Sequence, residues 1–342
     1  MTSVCVCGGG HIGHAAAGYF ATNQDFKVSL LTRQPEKWAG MVECTLPGGG
    51  VATGRLQSVS DNPAYTIPGA DIVLLCLPGF AIEEVLRDIR PWLGSGTAVG
   101  SVMCSTGFFF IAHETLPTEQ PLFGFRRTPF IARTLEYGRL VAIQGFKKVL
   151  HMAVKNHPDP ERLALTLAKA TGTPVELLPG IYEASLSNGN PLLHTSRLYT
   201  LWGGHKPGTA YGSVPMFYED WTDEASAKLV EMDRELHLLM RSLPMDPGSL
   251  PTILDYYESA DIGSLTRKIS SIPAFKGIKS PMVAAPGGFA PDFRNRYFAE
   301  DFPYGLDIVA RIAKEHSVDT PTIREVDNWG MAVVGKRMDQ QP

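Results

Sequence analysis

Short apolar runs of strand length alternate with helix-like stretches along the first half of the chain. The runs that predict strands are residues 4–7, 26–32, 70–78, 97–101, 121–125, 140–143, 149–154 and 173–178. Helical spacing covers 81–89 and 160–171, and residues 41–60 predict an irregular hairpin. The run at 70–78 is almost continuously apolar, which is typical of a central parallel strand buried on both faces. This alternation predicts an open α/β sheet.

The pattern changes beyond Gly180, where strand-like alternation largely stops. Three later segments carry apolar residues at helical spacing instead: 190–202, 224–243 and 305–316. We therefore predict two domains, an α/β domain over 1–180 and a mainly α-helical domain over 181–342. A chain of 342 residues is long enough for both.

A glycine-rich turn follows the first predicted strand and precedes a helix-forming run of alanines. Its sequence, from Gly8 through Gly10 to Gly13, is Gly-x-Gly-x-x-Gly, with His11 and Ile12 between the last two glycines. A strand, a tight turn and a helix N-terminus form the phosphate site of a Rossmann-type domain, because free N–H groups and the helix dipole attract the pyrophosphate. We expect these five residues to bind a dinucleotide. A glycine-rich loop that binds nothing is the alternative.

The end of the second predicted strand indicates which dinucleotide binds. NAD-dependent enzymes usually place Asp or Glu near this point, to bind the ribose hydroxyls. Here the chain has Thr32 and Arg33, and a guanidinium is suited to a 2′-phosphate. We therefore predict NADP(H) as the preferred cofactor, with NAD(H) as the alternative, and Lys37 adds charge nearby. Leu77 and Pro78 end the central strand and are expected to flank the cofactor.

Composition narrows the class of protein and its partners. The chain is 44% hydrophobic and 19% charged, with a net charge of −4, so no basic surface favours nucleic acid or membrane as a partner. No apolar run approaches the roughly 18 residues of a membrane span, and no secretory signal is expected. The five cysteines, of which Cys5, Cys7 and Cys76 fall in predicted strands, indicate buried thiols in a reducing cytoplasm. None pairs with histidine at metal-ligand spacing, so we predict no metal.

Two motifs of the second half resemble those of the opine dehydrogenases, the family that includes octopine and nopaline dehydrogenases. They are residues 190–194 (Asn-Pro-Leu-Leu-His) and 296–306 (Arg-Tyr-Phe-Ala-Glu-Asp-Phe-Pro-Tyr-Gly-Leu). Residues 126–138, 217–218 and 233–235 are also similar to that family. The chain departs from the family in having threonine, and not proline, directly after the histidine.

The resemblance implies NAD(P)H-dependent reductive condensation of an amino acid with a 2-keto acid. The amine adds to the ketone, water leaves, and hydride reduces the imine to a secondary amine. By analogy with the family, His194 is the catalytic acid/base, Asp301 its partner and Arg296 the anchor of a substrate carboxylate. The side chains of His194 and Asp301 must then meet although they are over a hundred positions apart in the sequence.

Elementary chemistry favours the same roles. Histidine titrates near neutral pH, where protons must move on and off the carbonyl oxygen. A carboxylate on the far ring nitrogen orients the imidazole, and an arginine holds a carboxylate at two points. Asn190 lies four residues before His194 and shares its helix face, which predicts a substrate contact. Alternatively, Asn190 caps the helix with Pro191 at its first position.

Three other functions stay open at this point. A ketopantoate-type 2-keto acid reductase and a glycerol-3-phosphate-type dehydrogenase share the glycine loop, but both centre on a lysine for which no convincing motif is present. A non-catalytic nucleotide-binding or sensing protein is the third. The aromatic residues Trp202, Tyr211, Phe217 and Tyr218 line the substrate pocket or fill the core. The substrates are not identified, and a homodimer is left open.

Overall fold

The computed structural model describes residues 1–338, and the chain divides into two compact units. The first is Met1–Ser187, and the second begins at Asn188. The predicted boundary, near Gly180, lies a few residues earlier in the chain. The last four residues of the predicted second domain, 339–342, lie outside the described residues.

Each predicted strand overlaps a strand of the structure. The strands are β1 (Thr2–Cys7), β2 (Phe26–Leu31), β3 (Met41–Thr45), β4 (Val51–Arg55), β5 (Ser58–Ser60), β6 (Ile72–Leu75), β7 (Ala98–Ser101), β8 (Leu122–Phe125), β9 (Phe130–Glu136), β10 (Leu140–Phe146), β11 (Leu150–Lys155), β12 (Val175–Leu177), β13 (Met282–Ala285) and β14 (Gly288–Pro291). The hairpin expected at 41–60 is a regular antiparallel pair, β3 and β4. The pattern does not predict β9, β13 or β14.

An eight-stranded sheet, in the order β12-β11-β8-β7-β6-β1-β2-β5, forms the centre of the first unit. Neighbours from β5 to β8 are parallel, whereas β8 and β11 are antiparallel. All four residues of β6 are buried, which is the reason for its continuous apolar sequence. Cys7 pairs with Leu31 on one side and Leu75 on the other, so β1, β2 and β6 end at the same edge.

A second sheet of four strands, in the order β4-β3-β10-β9, also belongs to the first unit. Its residues Val42, Cys44, Val141 and Ile143 are buried in the same hydrophobic core as the first helix, α1 (His11–Phe20). That helix carries alanine at three successive buried positions, and its small side chains allow close packing on both sides.

Twelve further α-helices follow in the described part of the chain. They are α2 (Pro63–Thr66), α3 (Gly79–Ile89), α4 (Phe108–Thr115), α5 (Pro160–Thr171), α6 (Ile181–Ser185), α7 (Asn190–Trp202), α8 (Asp223–Met240), α9 (Ile253–Tyr256), α10 (Ile262–Ser271), α11 (Arg296–Asp301), α12 (Asp307–Glu315) and α13 (Pro321–Met338). The second unit is mainly α-helical, as predicted, although the pattern predicts none of α9, α10, α11 and α13. Within residues 1–338, no helix has the length and apolarity that crossing a bilayer requires.

The core of the second unit surrounds α7. This helix packs against α8, α11 and α13, and eight of its successive residues, 191–198, are buried. Aromatic rings of Trp202, Phe298 and Phe302 stack in this core. Because α7 is enclosed, its polar side chains must find partners inside the protein.

Candidate active site

The glycine turn predicted to bind a dinucleotide lies at the edge where β1, β2 and β6 end. Gly8 has φ +115°, and a Cβ atom there would lie 2.7 Å from the Cys76 carbonyl oxygen and 2.9 Å from Leu77 Cδ2. A Cβ atom at Gly13 would lie 1.9 Å from the Gly8 carbonyl oxygen. Only glycine allows this turn and this close approach of strand and helix.

Gly10 differs from its neighbours because open space surrounds it. A Cβ atom at Gly10 would meet no heavy atom within 4 Å. Helix α1 begins directly after it, with no side chain capping its N-terminal N–H groups and no acidic residue in its first turn. The turn therefore offers a free, positively polarised helix end beside a surface without side chains, which fits a pyrophosphate.

The residues predicted to select the cofactor follow β2. The Thr32 N–H group donates to the Ser60 carbonyl oxygen (2.9 Å), and Thr32 is buried. Arg33 is exposed, with its guanidinium available to a ligand. Lys37 Nζ donates to Gln34 Oε1 (3.2 Å), so its ammonium group already has a protein partner.

A hairpin of the second sheet, β9 and β10, is fastened onto the glycine turn through His14. The imidazole Nδ1 of His14 bonds with the Gly10 carbonyl oxygen (3.0 Å), and the Gly138 N–H group donates to its Nε2 (2.7 Å). His14 is fully buried, and desolvation lowers its pKa. The predicted residue His11 is exposed, and its Nδ1 accepts from the Thr134 N–H group (3.1 Å). The sequence analysis does not predict this role of His14. Its position four residues after Gly10, one helical turn away, is the signal that could have indicated a contact with the glycine turn.

The second predicted site lies within the helical unit and joins residues 107 positions apart. His194, on α7, approaches Asp301 with its Nδ1 2.7 Å from Asp301 Oδ2. The side chains are 9% and 13% exposed, so the pair is largely withdrawn from water. The geometric expectation for His194 and Asp301 is met. Because a carboxylate only accepts, the Nδ1 atom carries the hydrogen and Nε2 is the nitrogen that exchanges a proton.

Aromatic residues enclose this imidazole. The His194 Nε2 atom lies 2.9 Å from the Tyr218 hydroxyl oxygen. The Tyr297 ring lies over the imidazole, with centroids 4.5 Å apart, and the Phe217 ring lies edge-on at 5.9 Å. Burial raises the pKa of Tyr218 well above its ordinary value and raises that of Tyr297 as well.

A buried arginine holds the segment that carries Tyr218. Arg197 is 2% exposed, and its Nε donates to the Phe217 carbonyl oxygen (3.1 Å). Its Nη2 donates to the Asp220 carbonyl oxygen (2.5 Å), and its guanidinium lies over the Trp221 ring. Burial lowers the pKa of Arg197 to about 10. Arg197 was not foreseen, because its partners are backbone carbonyls that leave no sequence motif.

Apolar residues of the motif at 296–306 place Asp301. Phe298 and Phe302 are fully buried on either side of it, and a π-helical turn, Phe302–Leu306, follows α11. A Cβ atom at Gly305 would lie 2.5 Å from Pro191 Cγ, so this turn packs tightly against the start of α7. Both partners of the pair are thus fixed by the same packing.

The other two predicted substrate residues lie at the surface. Arg296 and Asn190 are exposed, and neither is hydrogen-bonded to His194 or Asp301 in the described part of the chain. The capping role considered for Asn190 is wrong. Gly189 occupies the N-cap position, and no side chain caps α7. The Asn190 N–H group instead donates to Asn188 Oδ1 (3.3 Å). A side chain of the preceding turn therefore accepts from the first residue of the helix.

The helical unit decides the family. Residues 177–334 match the family described as NAD/NADP octopine/nopaline dehydrogenase, alpha-helical domain. The helical unit belongs to the opine dehydrogenase family. The family predicted from the motifs at 190–194 and 296–306 is thereby confirmed, and both motifs lie inside the matched region.

Relatives extend the similarity over the whole chain. An octopine dehydrogenase of Mizuhopecten yessoensis is 28% identical over 97% of this chain and 90% of its own length. A tauropine dehydrogenase of Arabella iricolor is 26% identical over 98% of this chain and 92% of its own length. A solved octopine dehydrogenase, in complex with NADH and L-arginine, superposes with a TM-score of 0.85 at 24% identity, covering 98% of this chain and 90% of that one. The predicted combination of a Rossmann-type unit and a helical unit is confirmed.

The described residues contain no group of three or more His, Cys, Asp or Glu side chains that is arranged to hold a metal ion.

Proposed function

We propose that this protein condenses an amino acid with a 2-keto acid and reduces the product with NAD(P)H to an N-(carboxyalkyl) amino acid. The observation that carries the proposal is the 2.7 Å contact between His194 Nδ1 and Asp301 Oδ2, since condensation requires an acid/base of this kind. The names of the relatives, octopine and tauropine dehydrogenases, support the same reaction class.

A nicotinamide dinucleotide supplies the hydride in this proposal. The turn formed by Gly8, Gly10, His11, Ile12 and Gly13 would hold its pyrophosphate, and Leu77 and Pro78 would flank it. The neighbouring octopine dehydrogenase structure contains NADH, and a yersinopine dehydrogenase structure with a TM-score of 0.69 contains NADP⁺. We propose NADP(H) for this chain because Arg33, and not an acidic residue, follows Thr32 at the end of β2.

His194 performs the proton transfers of the condensation. The substrate amine attacks the keto carbon, and the carbonyl oxygen must gain protons before it leaves as water. The imidazolium form of His194 provides a proton for this step. Asp301 keeps the ring in one orientation, so that Nε2 is the exchanging nitrogen throughout.

Arg296 binds a substrate carboxylate in this proposal. Its exposed guanidinium is on α11, the helix that ends in Asp301, so the positive charge and the Asp301 carboxylate share one helix. A two-point contact from guanidinium to carboxylate restricts rotation at the reacting carbon. Asn190, at the start of α7, contributes a further polar contact. The cytoplasmic location and the homodimer stay predictions.

A matrix of amino acids against 2-keto acids tests this function, with loss of NADPH or NADH absorbance as the measurement. We expect oxidation only when an amine donor and a keto acid are both present. Oxidation with the keto acid alone would instead indicate a ketoacid reductase. Cofactor binding without turnover over the whole matrix would indicate a nucleotide-sensing protein.

A further inference from the structure

We propose that the hydroxyl groups of Tyr218 and Tyr297 extend the His194–Asp301 pair into a proton relay that carries the proton between His194 and the substrate. This inference rests on the proposed function and assigns the route by which the proton of His194 reaches the substrate oxygen that leaves as water. In such a route Tyr297 touches the substrate, and Tyr218 acts through its neighbours as a positioning and conducting residue.

The first observation is that both nitrogens of the imidazole have protein partners. Asp301 engages Nδ1 at 2.7 Å, and the Tyr218 hydroxyl engages Nε2 at 2.9 Å. Nε2 is the nitrogen that must exchange a proton, because Nδ1 keeps its hydrogen for the carboxylate. A substrate therefore reaches Nε2 only by displacing Tyr218 or by exchanging the proton through it.

Displacement of Tyr218 is opposed by its packing. Its side chain is almost wholly buried, and its ring stacks on Phe275 with centroids 4.1 Å apart and planes 19° apart. The Trp221 ring is also nearly parallel to the Tyr218 ring, with centroids 6.2 Å apart. Moving the Tyr218 ring would expose apolar surface and break its stacking contact with Phe275.

The backbone around Tyr218 is fixed as well. Arg197 binds the carbonyl oxygens of Phe217 and Asp220, and the Phe217 N–H group donates to the Ile278 carbonyl oxygen (2.7 Å). The Gly277 N–H group donates to Glu219 Oε2 (2.6 Å). Hydrogen bonds to the residues before and after Tyr218 thus keep its hydroxyl next to Nε2. Proton exchange through this hydroxyl is therefore favoured over its displacement by the substrate.

A phenol suits this position because it donates and accepts at once. When His194 is neutral, the Tyr218 O–H group donates to Nε2. When His194 is an imidazolium, Nε2–H donates to the Tyr218 oxygen, and in the proposed route the Tyr218 O–H group turns toward Tyr297, whose ring lies over the same imidazole with centroids 4.5 Å apart. Tyr297 is only half-buried, so the route leads from the enclosed imidazole toward accessible space.

The transfer balances without a charged intermediate on either phenol. The proton on Nε2 passes to the Tyr218 oxygen, the Tyr218 proton passes to the Tyr297 oxygen, and the Tyr297 proton passes to the carbinolamine oxygen. The carbon–oxygen bond breaks, water leaves, and the nitrogen lone pair enters the new double bond, so the product is the protonated imine (iminium), which carries the positive charge that left His194. His194 has given up its proton at the end of the step, and both tyrosines have gained one proton and passed one on.

Tyr218→Phe tests the relay, because it keeps the stacked ring and removes only the hydroxyl. We expect kcat to fall roughly 10- to 100-fold, with KM for both substrates and the Kd of the cofactor little changed. The wild-type solvent deuterium effect should be curved in a proton inventory and become linear in the variant. Unchanged or higher kcat would overturn the relay, because the hydroxyl would then only cover Nε2.

Two further variants keep the test sharp. Tyr297→Phe should lower kcat in the same way, and the double variant should lose less than the product of the two single losses, because both act on one route. Tyr199→Phe is the matched control. It lies on the same helix as His194, but its hydroxyl donates to Glu325 at 2.8 Å, and its removal should leave kcat unchanged. Independent, multiplicative losses for Tyr218 and Tyr297 would contradict a single route.

Nitrogen NMR of labelled histidine separates the relay from the proposed function. The Nε2 resonance of neutral His194 should shift in Tyr218→Phe, because the accepting nitrogen loses its donated hydrogen bond, and should stay in place in Tyr199→Phe. Absence of turnover for every substrate pair would defeat the proposed function alone. An unmoved Nε2 resonance in Tyr218→Phe would overturn the relay whatever the turnover.

Discussion

The glycine turn of the first unit and the imidazole site of the second are built by opposite means. In the turn, side chains are absent: a Cβ atom at Gly10 would enter open space, and the N-terminus of α1 has no side-chain cap. In the helical unit, the site consists of buried side chains that each have a polar partner, with Asp301 and Tyr218 on the two nitrogens of His194. The first site is expected to bind, and the second to perform chemistry.

The difference explains how each site tolerates change. A site formed by the backbone depends on the absence of side chains, so it is lost when a substitution adds atoms there. A side-chain site depends on each partner, so it is lost when atoms are removed, and the remaining buried groups are then left unpaired. Variants that add or remove atoms at chosen positions can therefore break this comparison or sharpen it.

His194→Ala should have the largest effect. Without its acid/base we expect kcat to fall by about 10²- to 10⁴-fold, while the Kd of NADPH stays near that of the wild type, because the turn that binds it is made by another part of the chain. Steady-state kinetics and cofactor fluorescence measure the two quantities.

A second histidine provides the control for this variant. His237 also lies near an aspartate, with its Nε2 3.8 Å from Asp233 Oδ1, but both residues are on α8. His237→Ala should keep its kcat. Near-wild-type turnover in His194→Ala, or equal losses in both variants, would remove His194 from the chemistry.

The two sites also differ in how far the sequence predicts them. The turn is local, so strand, glycines and helix appear in order within fourteen residues, and each residue type has one geometric reason. The His194–Asp301 pair spans 107 positions, and no periodicity links them. From the sequence, only the resemblance to the opine dehydrogenases predicts that His194 and Asp301 form a pair.

Residues that act through neighbours were beyond prediction. Arg197 binds backbone carbonyls, and His14 joins two backbone groups, so neither leaves a pattern of paired residue types. The sequence predicts that Tyr218 either lines the substrate pocket or fills the core. In the structure it is buried and its hydroxyl is hydrogen-bonded to the His194 imidazole. Strand β9 was missed although Phe130 and Ala132 are buried, because their outward neighbour Ile131 is apolar too and hides the alternation.

Gly10→Ala should give the next largest effect. A methyl group there meets no protein atom and the backbone has φ −79°, so folding should be unaffected. The same methyl stands where a pyrophosphate approaches, and we expect the Kd of NADPH to rise roughly 10- to 100-fold through lost charge-assisted hydrogen bonds. Calorimetric titration and a thermal unfolding curve check both statements.

Gly96→Ala serves as the matched control, since its Cβ atom would also meet nothing within 4 Å. It should change neither the Kd nor the unfolding temperature. If Gly10→Ala binds NADPH as the wild type does, the open space beside α1 is not the phosphate site.

Asp327→Asn sharpens the second half of the comparison, because Asp327 is a buried carboxyl whose Oδ1 has no hydrogen-bond partner, unlike Asp301. Burial and the charge of Asp307 raise its pKa to about 7. A carboxyl with a raised folded-state pKa stabilises the fold below its unfolded value near 4 and loses that contribution as pH rises through about 7. The free energy of unfolding gained by the asparagine variant should be roughly 2–3 kcal/mol larger at pH 8 than at pH 5.

Urea unfolding at the two pH values measures this difference. Asp319→Asn is the control, because Asp319 is 78% exposed and its replacement should give the same small change at both pH values. A gain for Asp327→Asn that does not depend on pH would mean that its carboxyl titrates as an exposed one does.

Arg33→Ala should have the smallest effect and tests whether the turn region uses any side chain for recognition. Loss of the guanidinium should weaken NADPH about tenfold and leave NADH nearly unchanged, because only NADPH carries the 2′-phosphate. The preference of the wild type for NADPH should also shrink as salt is added, since the pair is exposed. Lys37→Ala is the comparison, and its effect should be smaller because Lys37 already donates to Gln34. Equal loss of NADPH and NADH in Arg33→Ala would remove Arg33 from recognition of the 2′-phosphate. Unchanged affinity for both cofactors would show that the first site works by backbone alone, and the contrast with the imidazole site would then be complete.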